Sequence, residues 1–203
     1  MPFRVLGLSG SLRAASLNTR LLEAYAAAAP RGIVVKPFAL RDVPLYDADL
    51  DDLAGGEGPP AAVAALRGAI AGSDALLLVG PEHNWSYSAV LKNAIDWCSR
   101  PKFASILAGR HVALGGASPG PAGTARAQEH LRVVLESVRA EVPAGPVVAV
   151  GGANAQALAA GELPADVRVA LGRQLEGLRA AALGAGTAQP ANAVRSRPSS
   201  LAA

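Results

Sequence analysis

At 203 residues, with 51% hydrophobic and only 17% charged, the chain has the composition of a globular domain large enough to bury its own core. Its formal charge of +3 is small and no stretch interleaves basic residues with aromatics, which argues against a nucleic-acid partner. The single cysteine, Cys98, excludes an internal disulfide framework and a cysteine-rich zinc site, and no apolar run is long enough to span a bilayer.

Met1 to Gly7 runs straight into a strand pattern without a charged leader, so no signal peptide and no membrane attachment are expected, and the protein is expected to be cytoplasmic. Phe3 to Ser9 reads as a short apolar strand, and Asn18 to Ala29 as a helix. Ile33 to Phe38 makes a second strand. A long acidic, glycine-rich loop runs from Asp42 to Gly58, and a second helix from about Pro60 to Ala71 carries proline near its start. Asp74 to Gly80 is continuously apolar between turn residues, the mark of a strand buried on both faces. The polar stretch that begins at Pro81 gives way to helical periodicity at Val90, Leu91, Ala94, Ile95 and Trp97. A strand from His111 to Ala117, a helix from about Thr124 to Arg139, a strand from Pro146 to Val150 and a helix from Val167 to Leu183 follow. Five strands alternating with five helices imply an α/β fold with a parallel sheet covered on both faces. Residues 1–183 are expected to form one domain, and the Ala-, Gly-, Pro- and Ser-rich tail from 184 to 203 to be poorly ordered.

Two loops carry the chemistry. The turn after the first strand holds Ser9, Ser11, Arg13, Ser16 and Asn18, with Gly10 allowing a tight bend. Hydroxyls, a guanidinium and the free amides of a helix start suit a phosphate monoester, because the positive helix end favours an anion. Taken alone, capping of the first helix explains Ser16 or Asn18 equally well. Several polar groups crowding one turn shift the balance toward a ligand. The spacing fits neither a nucleoside triphosphatase loop, nor a dinucleotide-binding turn, nor the serine elbow of a hydrolase. The loop after the third strand, Pro81-Glu82-His83-Asn84-Trp85, lies where open α/β sheets bind ligands and could hold a flat polar ring.

Together these loops resemble the NADPH-dependent FMN reductase family, most closely its chromate and quinone reductases. The matching residues are Gly10-Ser11-Leu12-Arg13 with Ser16 and Asn18, Asp42 to Asp49, Pro81-Glu82-His83-Asn84, Leu91 to Trp97, and Ser118-Pro119-Gly120 with Ala125 to Arg132. The resemblance spans about residues 3 to 180. It implies a flavodoxin-like three-layer α/β/α sandwich with a five-stranded parallel sheet and noncovalent FMN. Carried over, Ser11, Arg13, Ser16 and Asn18 hold the phosphate, the isoalloxazine lies on Pro81, Glu82, His83, Asn84 and Trp85, and Ser118 closes the site. The implied activity is an NAD(P)H oxidoreductase passing hydride from NADPH or NADH through FMN to a small acceptor: a quinone, free flavin, azo compound or chromate. No dedicated catalytic acid or base and no metal are expected, since the flavin carries the chemistry. A homodimer or homotetramer is also implied, with Trp97 and Cys98 as candidate subunit contacts.

The chain departs from the family pattern at His83, where tyrosine is usual, at Trp85, and at Ser88 and Ala89 in place of proline and glycine. Lys92 and Asp96 stand at the spacing of a surface ion pair, and Asn93 is expected to bond locally. The acidic run Asp47 to Asp52 reads as a solvated loop. Two other readings stay open on the residues alone: a flavin-binding electron carrier without NAD(P)H turnover, and a phosphate-binding nucleotide hydrolase.

Overall fold

The computed structural model of the protein describes residues 1–51, 58–102 and 104–184. Strands β1 (Phe3–Ser9), β2 (Ile33–Phe38), β3 (Ala75–Val79), β4 (Val112–Ala117) and β5 (Val148–Val150) form one parallel sheet in the order β2-β1-β3-β4-β5. Helices α1 (Leu17–Ala27), α2 (Ala61–Ala71), α3 (Ala89–Cys98), α4 (Ala125–Ser137), α5 (Gly152–Ala159) and α6 (Ala165–Gly184) cover its two faces. This is the flavodoxin-like fold, with the strand order that such folds share.

Side chains alternate across a strand, and every central strand has an apolar residue for each face. Phe3 and Val5 of β1 and Leu77 and Val79 of β3 join the core under α1, α5 and α6. Leu6 and Leu8, with Leu76 and Leu78, join the core under α2, α3 and α4. Double burial is the reason β3 reads as an uninterrupted apolar run, and each such leucine contributes about 1.5–3 kcal/mol by leaving water. Helix α1 lies hard against the sheet because β1 has glycine beneath it: a Cβ on Gly7 would stand 2.4 Å from Leu22 Cδ1. That close seat fixes the start of α1 beside the strand ends.

Among the described residues the five strands are accompanied by six α-helices rather than five, with α5 and α6 both following β5. Helix α5, Gly-Ala-Asn-Ala-Gln-Ala-Leu-Ala, has alanines for propensity but buries only Ala155 and Leu158, so it shows no apolar stripe in the sequence. Strand β5 is three residues long, shorter than its apolar pattern suggests. The expectation for the tail falls outside the described residues, apart from Gly184, the last residue of α6. Among the described residues no helix is long and apolar enough to cross a membrane.

Three expectations about α3 and the acidic loop need correction. Trp97 and Cys98 are 0% and 1% exposed, so they belong to this subunit's own core and are not available for contact with another subunit. Trp97 meets Tyr46 edge-on at 5.0 Å and donates from Nε1 to the Pro44 carbonyl at 2.8 Å. Asn93 bonds far from itself in sequence, accepting from Tyr46 N–H at 2.8 Å and donating to Pro44 O at 2.7 Å. These bonds tie the loop after β2 to α3. Within the acidic run, Asp51 is buried and paired in a two-pronged contact with Arg67 at 2.9 and 2.8 Å, and residues 52–57 lie outside the described residues. Lys92 and Asp96 pair at 2.7 Å, as their spacing predicts.

Candidate functional site

The strand order reverses between β1 and β3, so the loops that leave their carboxyl ends diverge and a crevice opens between them. There a cleft of about 470 Å³ is lined by Ser11, Arg13, Ser16 and Asn18 from the β1–α1 turn, Pro81, Glu82 and His83 from the β3–α3 loop, and Ser118 after β4. Ala117, Pro119, Arg20 and Ala159 complete the wall. Asn84 and Trp85 are not part of the lining; they stand beyond it on the same loop.

In the β1–α1 turn, Gly10 passes over the start of α3, where a Cβ would lie 2.6 Å from Ser88 Oγ and 2.8 Å from Leu91 Cγ. Ser16 is the N-cap of α1: its Oγ accepts from the N–H groups of Asn18 at 3.1 Å and Thr19 at 3.3 Å. Asn18 is buried, and its side chain behaves as a strand partner would. Nδ2 donates to Ala117 O at 3.0 Å, while Oδ1 accepts from Ala117 N–H at 2.8 Å. One N–H of Nδ2 and one acceptor site of Oδ1 are therefore taken by the end of β4. Ser11 is half-buried and Arg13 exposed, and among the described residues the Arg13 guanidinium has no protein partner. Ser11, Arg13 and the positive end of α1 are the groups best placed to meet an anion there.

The β3–α3 loop is built differently. His83 and Ser86 exchange backbone bonds at 2.8 and 2.9 Å, and between them Asn84 and Trp85 have φ of 50° and 65°. Two successive left-handed residues make a type I′ turn, which asparagine tolerates and tryptophan resists by about 1–2 kcal/mol. The Trp85 indole is 67% exposed, with the Arg126 guanidinium 4.5 Å from its ring centroid. Ser86 Oγ meets His130 Nδ1 at 3.3 Å. Glu82 turns its carboxylate onto α4, where Oε2 accepts from Ala127 N–H at 3.1 Å. The N-cap residue of α4, Thr124, makes no side-chain cap bond, so a glutamate from another loop takes that place. Ser88 caps α3 by accepting from Leu91 N–H at 3.4 Å.

Pro119 and Ala159 line the cleft and Arg126 lies over the Trp85 ring beside it, roles that sequence reasoning did not assign. A signal existed for Arg126, because a cation in the first turn of a helix opposes the helix dipole. The sequence offers Arg20, Arg41 and Arg100 for the ribose 2′-phosphate of NADPH: Arg20 lines the cleft and donates to Ala159 O at 2.8 Å, Arg41 donates to Leu12 O, and Arg100 lies over the Tyr46 ring at 5.6 Å. Burial pushes the Cys98 thiol up to about 12, so it supplies no thiolate near neutral pH and stays a core residue.

Residues 3–155 match the profile of the family described as NADPH-dependent FMN reductase. An NAD(P)H-dependent FMN reductase of Pseudomonas aeruginosa is 45% identical over 132 residues, 65% of this chain and 69% of that one. A 2-hydroxy-1,4-benzoquinone reductase of a Burkholderia species is 40% identical over 134 residues, 66% of this chain and 70% of its own. Among solved structures, the flavoenzyme NAD(P)H:(acceptor) oxidoreductase of Paracoccus denitrificans superposes with a TM-score of 0.74 at 30% identity, over 87% of this chain and 97% of the other.

Proposed function

The chain belongs to the NADPH-dependent FMN reductase family, and from that premise we propose that residues 1–183 form a unit holding FMN noncovalently in the cleft between β1 and β3. The observation that carries this reading is the pairing, in one cleft of about 470 Å³, of an unpartnered Arg13 beside the start of α1 with the loop Pro81 to His83. An anion on a flat polar ring suits such a site: the phosphate at the cationic end, the ring along the loop. Ser11 and Arg13 contact the phosphate directly. Ser16 and Asn18 act one step behind, holding the helix start and the turn in place. Pro81, Glu82, His83 and Ser118 border the ring, and Asn84 and Trp85 extend past it toward the solvent side.

FMN bound there would supply the hydride chemistry between NADPH or NADH and a second substrate. The protein's part is to bind, to orient and to leave one side of the cleft open for donor and acceptor in turn. We take a quinone as the acceptor, since relatives are named 2-hydroxy-1,4-benzoquinone reductase and quinone reductase. Free flavin, azo compounds and chromate are the alternatives to measure against it. The protein acts in the cytoplasm as a homodimer or homotetramer in this reading.

The test is the absorbance spectrum of the purified protein with FMN, before and after NADPH under anaerobic conditions. A bound flavin spectrum that bleaches on addition of NADPH is expected. Protein that takes up no FMN sinks the reading. Uptake without bleaching by either nicotinamide nucleotide leaves an electron carrier in its place.

A further inference from the structure

Two residues outside the cleft lining, Trp85 on the β3–α3 loop and Arg126 on α4, break the rules of their own secondary structure, and they touch each other. Trp85 has φ of 65°, a region where every side chain is strained, and its indole is 67% exposed, so burial does not compensate for that strain. Arg126 sits in the first turn of α4, where the helix dipole disfavours a cation. The guanidinium lies over the indole at 4.5 Å, close enough for cation–π attraction to fix the ring. The turn itself is pinned by the paired His83 and Ser86 backbone bonds and by Ser86 Oγ against His130 Nδ1. A large ring is therefore held rigid with one face on Arg126 and the rest open to solvent. It stands two residues from His83, which lines the cleft.

We propose that Trp85 is a stacking platform for planar aromatic acceptors, quinones above all, and that Arg126 is its positioning residue. Strain that persists in an exposed side chain points to a role outside stability. An indole offers a flat ring the offset or edge contact that aromatic pairs favour, and offers a compact hydrated oxyanion such as chromate no comparable contact. The platform thus sets which acceptor is preferred, without touching the phosphate end of the cleft. The inference rests on the FMN oxidoreductase reading above.

The decisive variants are Trp85→Gly, which removes the ring and suits the positive φ, and Trp85→Phe, which keeps a ring. Each is assayed with NADPH against 1,4-naphthoquinone and against hexacyanoferrate(III), which has no aromatic face. Trp85→Gly is expected to lower the ratio of kcat/KM for naphthoquinone over that for hexacyanoferrate about tenfold, through KM, with Phe restoring most of it. FMN affinity stays within about twofold, and the melting temperature is equal or higher because the backbone strain is gone. An unchanged ratio overturns the platform. So does a change carried by the KM for NADPH, or a change of oligomeric state by light scattering, which would make Trp85 a subunit contact. If the parent protein takes up no FMN, the flavin reading fails and the platform with it; if it takes up FMN and the ratio holds, only the platform fails.

Discussion

The turn after β1 and the loop after β3 flank one cleft, yet the first is fastened by buried side chains and the second by its own backbone and by α4. In the turn, Ser16 and Asn18 bond to main-chain groups, one of them across the sheet at Ala117. In the loop, a strained turn carries a tryptophan into solvent and leans on Arg126, Ala127 and His130. The contrast separates residues that hold the site from residues that meet ligands. A polar group whose hydrogen bonds are all made inside the protein contributes to stability, and one left open contributes to binding. Substitutions on the two sides should therefore move different measurements.

The largest effect is expected at Asn18. Asn18→Ala leaves Ala117 N–H and C=O unpaired in a buried place, at a cost of about 1–3 kcal/mol for each such group, and urea denaturation should show a loss of about 2–6 kcal/mol in all. A loss below about 0.5 kcal/mol would break the contrast, because water would then be replacing a bond described as structural. Next comes Arg13→Ala. Loss of a charge-assisted contact to phosphate should raise the dissociation constant for FMN by about tenfold or more, measured by flavin fluorescence, while unfolding stability shifts by less than about 0.5 kcal/mol. Raised salt should narrow the gap between this variant and the parent, since the guanidinium is exposed. If Glu82→Ala weakened FMN binding as much, the division between the loops would be wrong. A smaller loss of stability, about 1 kcal/mol, is expected for Ser16→Ala, whose Oγ caps α1.

Much of the fold was legible because double burial writes itself into composition. Strand β3 is apolar at every position, and β1 alternates between two cores, so both strands and their parallel pairing followed from the pattern. Helix α5 was not legible, since its alanines give propensity without an apolar stripe. The site was legible as a set of polar residues at strand ends, but not in its division of labour. Nothing local distinguishes Asn18 from Arg13, because the partner of Asn18 is Ala117, ninety-nine positions away. The same limit hid the Pro44 carbonyl that Asn93 and Trp97 share. The positive φ at Trp85 was invisible too, since no sequence rule places tryptophan in a left-handed turn.

Glu82 tests the comparison at its finest point, because it lines the cleft and yet points its carboxylate at α4. A helix whose own N-cap makes no side-chain bond gains both a hydrogen bond and a favourable charge from it. Glu82→Gln keeps an acceptor for Ala127 N–H and loses only the charge, so a stability loss of about 0.3–1 kcal/mol is expected, with Glu82→Ala losing more by the value of the bond. FMN affinity should follow the same order with smaller steps, since the loop is displaced rather than stripped of a contact. If Gln and Ala were equal in stability, the dipole rather than the bond would be what joins the loop to α4. Should Gln instead change FMN affinity with no change in stability, the carboxylate would have to meet the ligand, and Glu82 would move to the side of Arg13.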